Sequence, residues 1–164
     1  MLVACFKKKA TSIYSKGIEL FQGPHCHVEI LFSDGICFSS CEDDGGPRFK
    51  KIVFTPGEWD FLEIHCTLQQ EQGVRNLAQL ILDGAFKPTR PKYGWTKCLV
   101  GFLPIPILHQ DPSKLFCSEV STILLQNLGL LIGYTAAGIS PDEMYNDLAP
   151  ELELWEKYNA KLPQ

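Results

Sequence analysis

The stretch "GPHCHVEILFSDG", residues 23–35, places two histidines around a cysteine and runs on through alternating residues into Asp-Gly. Residues 27–32 alternate weakly, Ser33-Asp34-Gly35-Ile36 is a strong hairpin signal, and residues 36–41 read as the returning strand. Working outward, residues 2–7, 51–55 and 59–67 read as further strands. Residues 14–21 read as one or two helical turns, and Asp43 to Pro47 as a loop. From Leu68 to Leu82 the period changes: Val74, Leu77, Ala78, Ile81 and Leu82 recur at helical spacing, with Gly84 as the stop. A second helix is expected over Leu115–Leu128. A third opens at Ser140-Pro141-Asp142-Glu143, with Ser140 as N-cap, Pro141 at N1 and Glu143 at N3. Strands first and helices afterwards predict an α+β fold rather than regular βαβ winding.

The 164 residues suit one domain able to bury a core without staples. Within it, residues 1–22 form a leading strand and helix, 23–67 the antiparallel strands, 68–150 the helices, and 151–164 a charged, loosely docked tail. A net charge of −4 and a pI near 5.5 offer no basic face for nucleic acid. The longest apolar run, Cys98–Leu108, has eleven residues and two prolines, too short and too broken to span a membrane. That excludes a transmembrane segment and leaves peripheral membrane contact open. The N-terminus has neither the order nor the length of a secretory signal. Seven cysteines, mostly in apolar or alternating segments, then read as reduced thiols of a cytoplasmic or otherwise reducing compartment.

One cysteine stands apart. In "KLFCSEVSTILLQNLG", residues 114–129, Cys117 falls at the start of an amphipathic helix, where unpaired N–H groups and the helix dipole favour a thiolate. Those N–H groups also suit an oxyanion. Glu119 opposes thiolate formation, and a buried cysteine on an apolar helix is commonly only structural. A thiolate nucleophile needs a base, and His27, on a strand, is better placed than His25, His65 or His109. A two-residue Asp34-Gly35 turn pairs Ser33 with Ile36, Leu31 with Phe38, Glu29 with Ser40, and His27 with Glu42. Glu42 is therefore the expected orienter of His27, and a shift of two residues gives Ser40 that place. The same register sends Cys37 and Cys41 to the face opposite His27, which argues against a zinc site. No metal and no cofactor are expected.

Three marks resemble the circularly permuted branch of the NlpC-type papain-like superfamily, with its YiiX-like bacterial proteins, lecithin:retinol acyltransferase-like enzymes, and phage and large-DNA-virus relatives. "SKGIELFQGPHCHVEILFSDG" resembles the segment leading into the strand of the base histidine. "KLFCSEV" resembles the nucleophile helix start, and "AGISPDEMYNDL" the short segment that commonly follows. Histidine before cysteine is the permuted order, and the resemblance spans about residues 12–148. It implies a papain-like sheet packed against a nucleophile helix, with Cys117 as nucleophile, His27 as base and Glu42 as third residue. It also implies hydrolysis or acyl transfer through a thioester, on a peptide-like amide or a lipid or acyl ester, and a viral or phage origin among the alternatives. Glu29 departs from the pattern: it stands where many bacterial members carry a small residue and competes as orienter. A non-catalytic binding or virion-associated module keeping the fold is the alternative. Oligomeric state is left open.

Overall fold

The computed structural model describes residues 1–8, 23–41, 43–84, 92–93, 114–136 and 139–159. Five strands, β1 (Leu2–Lys7), β2 (His27–Leu31), β3 (Cys37–Cys41), β4 (Gly46–Lys50) and β5 (Trp59–Ile64), form one sheet in the order β4-β3-β2-β1-β5. Every neighbouring pair is antiparallel. Helices α1 (Leu68–Leu82), α2 (Cys117–Gln126) and α3 (Pro141–Asn159) follow, and the two-residue strands β6 (Lys92–Tyr93) and β7 (Lys114–Leu115) pair in parallel. The fold is α+β, as the order of signals predicts. Among the described residues no helix is long and apolar enough to cross a membrane.

Alternation decides which side chains meet the helices. Leu2, Ala4 and Phe6 of β1, Val28 and Ile30 of β2, Phe38 of β3 and Ile64 of β5 join one buried cluster. Val74, Ala78 and Ile81 of α1, Val120, Leu124 and Leu125 of α2, and Met144, Leu148 and Leu152 of α3 close it. Helix α2 lies across β2 and β3 and touches both other helices. Local chemistry sets the helix starts. Thr67 and Gln70 cap α1 reciprocally, and Ser140 and Glu143 do the same for α3.

Four expectations change. The hairpin closes through three residues, Ser33-Asp34-Gly35, with Phe32 N–H donating to Ile36 O. Gly35 takes φ +82° while Asp34 does not enter the left-handed region, so the two-residue turn that needs both is ruled out. Leu31 therefore faces Cys37, not Phe38, and every residue of β3 turns to the other side of the sheet. Cys37 and Cys41 then share the face of His27 and Glu29, which removes the geometric argument against a metal. Among the described residues, however, no group of three histidine, cysteine or acidic side chains is arranged to hold one.

The fourth strand lies at Gly46–Lys50 rather than 51–55. It is a sheet edge, where Pro47 costs no ladder bond, so "GGPRF" is extended despite its loop composition. The last helix runs through Pro150 to Asn159, so residues 151–159 are not a loose tail. Leu152 is buried, and the Glu151 carboxylate accepts from the N–H of Leu131, a residue at φ +53°. The expected helix at 14–21 and the apolar run 98–108 lie outside the described residues.

Candidate functional site

Helix α2 begins at the open end of the β2–β3 hairpin. Ser40 Oγ donates to Leu115 O at 2.6 Å, tying β3 to the residues that lead into the helix. Ser118 Oγ donates to Ile139 O at 2.5 Å, fastening the first turn to the segment before α3. Phe116, the N-cap, supplies no side-chain acceptor; its own N–H donates to Glu119 Oε2 at 3.1 Å. Glu119 is thus a capping residue, which gives it a local role that its proximity to Cys117 does not reveal. Cys117, 3% exposed, is the first helical residue.

Cys117 lies beside His27, the first residue of β2, close enough to act on the charge of its imidazole. On its other side His27 Nε2 lies 2.7 Å from Glu29 Oε1. Alternation explains the second contact: residues 27 and 29 share one face of the strand. Glu29 is 1% exposed and meets Arg48 from β4, whose NH1 donates to Oε2 at 2.8 Å and NH2 to Oε1 at 2.5 Å. Arg48 Nε donates to Asp44 Oδ2 at 2.8 Å, and Lys50 donates to Asp44 Oδ1 at 2.7 Å. The order is Cys117, His27, Glu29, Arg48, Asp44, Lys50.

Electrostatics follow the packing. Burial disfavours charge on His27, but Cys117 and Glu29 outweigh it and raise the imidazole to about 10. Burial pushes Glu29 up, while hydrogen bonds and charge from His27 and Arg48 prevail and hold it below its ordinary value. An ionised carboxylate only accepts, so His27 Nε2 carries a proton and Nδ1 is the nitrogen left unengaged by Glu29. Burial, with Glu29 adding to it, pushes Cys37 up to about 12 and raises Cys5 further; Cys41 is raised chiefly by burial. All six described cysteines are free thiols.

The structure brings Cys117, His27 and Glu29 together. Ser40 is directed to Leu115, away from the imidazole, and Glu42 lies outside the described residues. The pairing of Leu31 with Phe38, on which Glu42 as orienter depends, is replaced by Leu31 with Cys37. Arg48 went unread in the sequence, although an acid alternating into a buried face, as Glu29 does, calls for a cation.

The second histidine does something else. His25 precedes the strand, so alternation does not bind it to the face of His27. Its Nδ1 lies 2.6 Å from Asp142 Oδ1 of α3, and its Nε2 3.0 Å from Asp60 Oδ2 of β5. Its ring stacks on Tyr145 at 4.3 Å and meets the edge of Phe6 at 5.7 Å. Lys8 donates to Asp60 at 2.7 Å, and chiefly that bond holds Asp60 below its ordinary value. His25 is a pin between β5 and α3.

Compared with protein-family models, with curated proteins and with solved structures, the chain has no significant match.

Proposed function

We propose that the chain is a cysteine hydrolase or acyltransferase with a permuted papain-like arrangement, in which Cys117 is the nucleophile, His27 the acid–base and Glu29 the orienter. The observation that carries this reading is a helix-starting cysteine facing a histidine whose far nitrogen is held by a buried carboxylate. The Cys117 thiolate attacks the carbonyl carbon of an amide or ester, forming a C–S bond and an oxyanion. The Cys117 N–H at the helix start contributes to oxyanion stabilisation. His27 gives its Nδ1 proton to the departing amine or alkoxide as the C–N or C–O bond breaks, leaving a thioester. Water, or an acceptor amine or alcohol, then loses a proton to His27, attacks the thioester and releases the thiolate. Substrates are peptide-like amides or lipid and other acyl esters.

A non-catalytic binding or virion-associated module is favoured by one observation, the near-complete burial of Cys117. Labelling with limiting iodoacetamide, sites read by mass spectrometry, separates the two. Cys117 is expected to label selectively near pH 6.5, below the ordinary thiol range of about 8.5, and at least about tenfold more slowly in His27→Ala. Labelling of Cys117 no faster than that of the half-buried Cys66, and indifferent to His27, overturns the catalytic reading.

A further inference from the structure

We propose that Arg48 is a positioning residue of the Cys117–His27 pair, acting through Glu29; this rests on the catalytic reading above. Arg48 stands opposite Ser39 in the β3–β4 register, so its side chain crosses β3 on the face that carries Glu29. Its two terminal nitrogens engage both carboxylate oxygens, and its third nitrogen is anchored on Asp44. A carboxylate held by one partner rotates and offers either oxygen to a second. Here Arg48 occupies Oε2 and shares Oε1, so the carboxylate plane is fixed and the oxygen presented to His27 Nε2 is always the same one. Fixing that bond fixes the proton on Nε2 and leaves Nδ1 as the nitrogen available to Cys117. Arg48 also keeps Glu29 charged against burial, since it supplies the cation that a buried carboxylate requires. A lysine supplies charge but not the planar fork, so charge and geometry separate.

The test is NMR of ¹⁵N-histidine-labelled protein carrying Cys117→Ser, with cysteine labelling profiles in the Cys117 protein alongside. Arg48→Lys and Arg48→Gln are compared with the unmodified residue. Expected are faster solvent exchange of the His27 Nε2–H and mixed tautomer signals, graded from Arg through Lys to Gln, with the pH profile of Cys117 labelling moving in the same order. A folded Arg48→Gln protein with unchanged His27 signals overturns the proposal. If neither Arg48 variant folds, Asp44→Ala decides: it removes the acceptor of Arg48 Nε at a less buried position, and His27 signals identical to the parent overturn the proposal as well. The imidazole signals need no reactive thiol. Failure of Cys117 to respond to His27→Ala therefore sinks the catalytic reading separately from Arg48's hold on His27.

Discussion

Removing the His25 side chain, in His25→Ala, tests whether the two neighbouring histidines have the separate roles their surroundings give them. His25 makes contacts to Asp142 at 2.6 Å and Asp60 at 3.0 Å, and each bond to a carboxylate contributes roughly 1.5–3 kcal/mol. The Asp60 bond belongs at the bottom of that range, because Asp60 is 32% exposed and keeps Lys8. Stacking on Tyr145 adds about 0.5–1.5 kcal/mol beyond area burial. The variant also leaves two acids facing a void. Together these give a loss of about 3.5–6 kcal/mol, a large share of a domain stability of about 5–15 kcal/mol. Asp142→Asn, which keeps a weaker acceptor, is expected to lose about 1–2 kcal/mol. Equilibrium urea unfolding followed by circular dichroism measures both. Under conditions where His25→Ala is folded, Cys117 labelling should match the parent. A loss below about 1 kcal/mol, or a fall in Cys117 reactivity comparable to that of His27→Ala, refutes the division of roles.

Two further outcomes follow from the same geometry. Gly23 sits at φ +108°, and a β-carbon there runs into the Asp142 carboxylate, so Gly23→Ala should cost about 2 kcal/mol in urea unfolding. About half of that cost should disappear when Asp142→Ala is the background, since the carboxylate is gone while the backbone strain and a tight contact with the residue 142 β-carbon at 3.0 Å remain. The His27–Glu29 pair should also shape stability against pH. Glu29 lies below its ordinary 4.5, so its contribution is present above that pH and is lost as pH falls through the depressed folded value. His27 is raised from 6.5 to about 10, so its contribution is full below 6.5 and is lost between 6.5 and about 10. Urea midpoints across pH 4–10 should decline on the alkaline side more steeply than those of His27→Asn; parallel alkaline limbs contradict the assignment.

What the sequence disclosed is what local physics determines. The N-terminal strand, the 3.6-residue stripe of α1 and the Ser140 capping box each depend on neighbours within a few residues, and each lies where its signal puts it. The hairpin was legible as a hairpin, but its register was not. Asp-Gly serves either a two-residue turn or a three-residue turn ending in a left-handed glycine. The choice of the second leaves Phe32 buried beside Phe49 and Arg75. That partner comes from an edge strand whose Gly-Gly-Pro composition reads as a loop, so the information fixing the register lay in the segment hardest to recognise. Cys117 and His27 were legible as a pair because a helix start and a strand start are both local features. Arg48 was not, because its relation to Glu29 passes through two strand pairings.

The buried carboxylate distinguishes the site from an ordinary packed strand. Glu29 has nearly all its surface removed from water, and a hydrophobic side chain of similar volume at such a position is often neutral or stabilising. Stability alone therefore gives little reason for an acid there. Orientation gives one: Glu29 accepts a single hydrogen bond from His27 Nε2 at Oε1, while Arg48 takes Oε2 and shares Oε1. His25, two residues earlier, lacks that arrangement. Its ring is enclosed by Phe6 and Tyr145, and both its nitrogens are engaged by acids from β5 and α3. A histidine with both nitrogens engaged holds elements together, whereas His27, with one nitrogen on Glu29 and Cys117 nearby, is the one to which the proposed function gives the proton transfer. The two histidines of "HCH" thus differ in what their ring nitrogens meet, and the proposed function assigns chemistry to His27 alone.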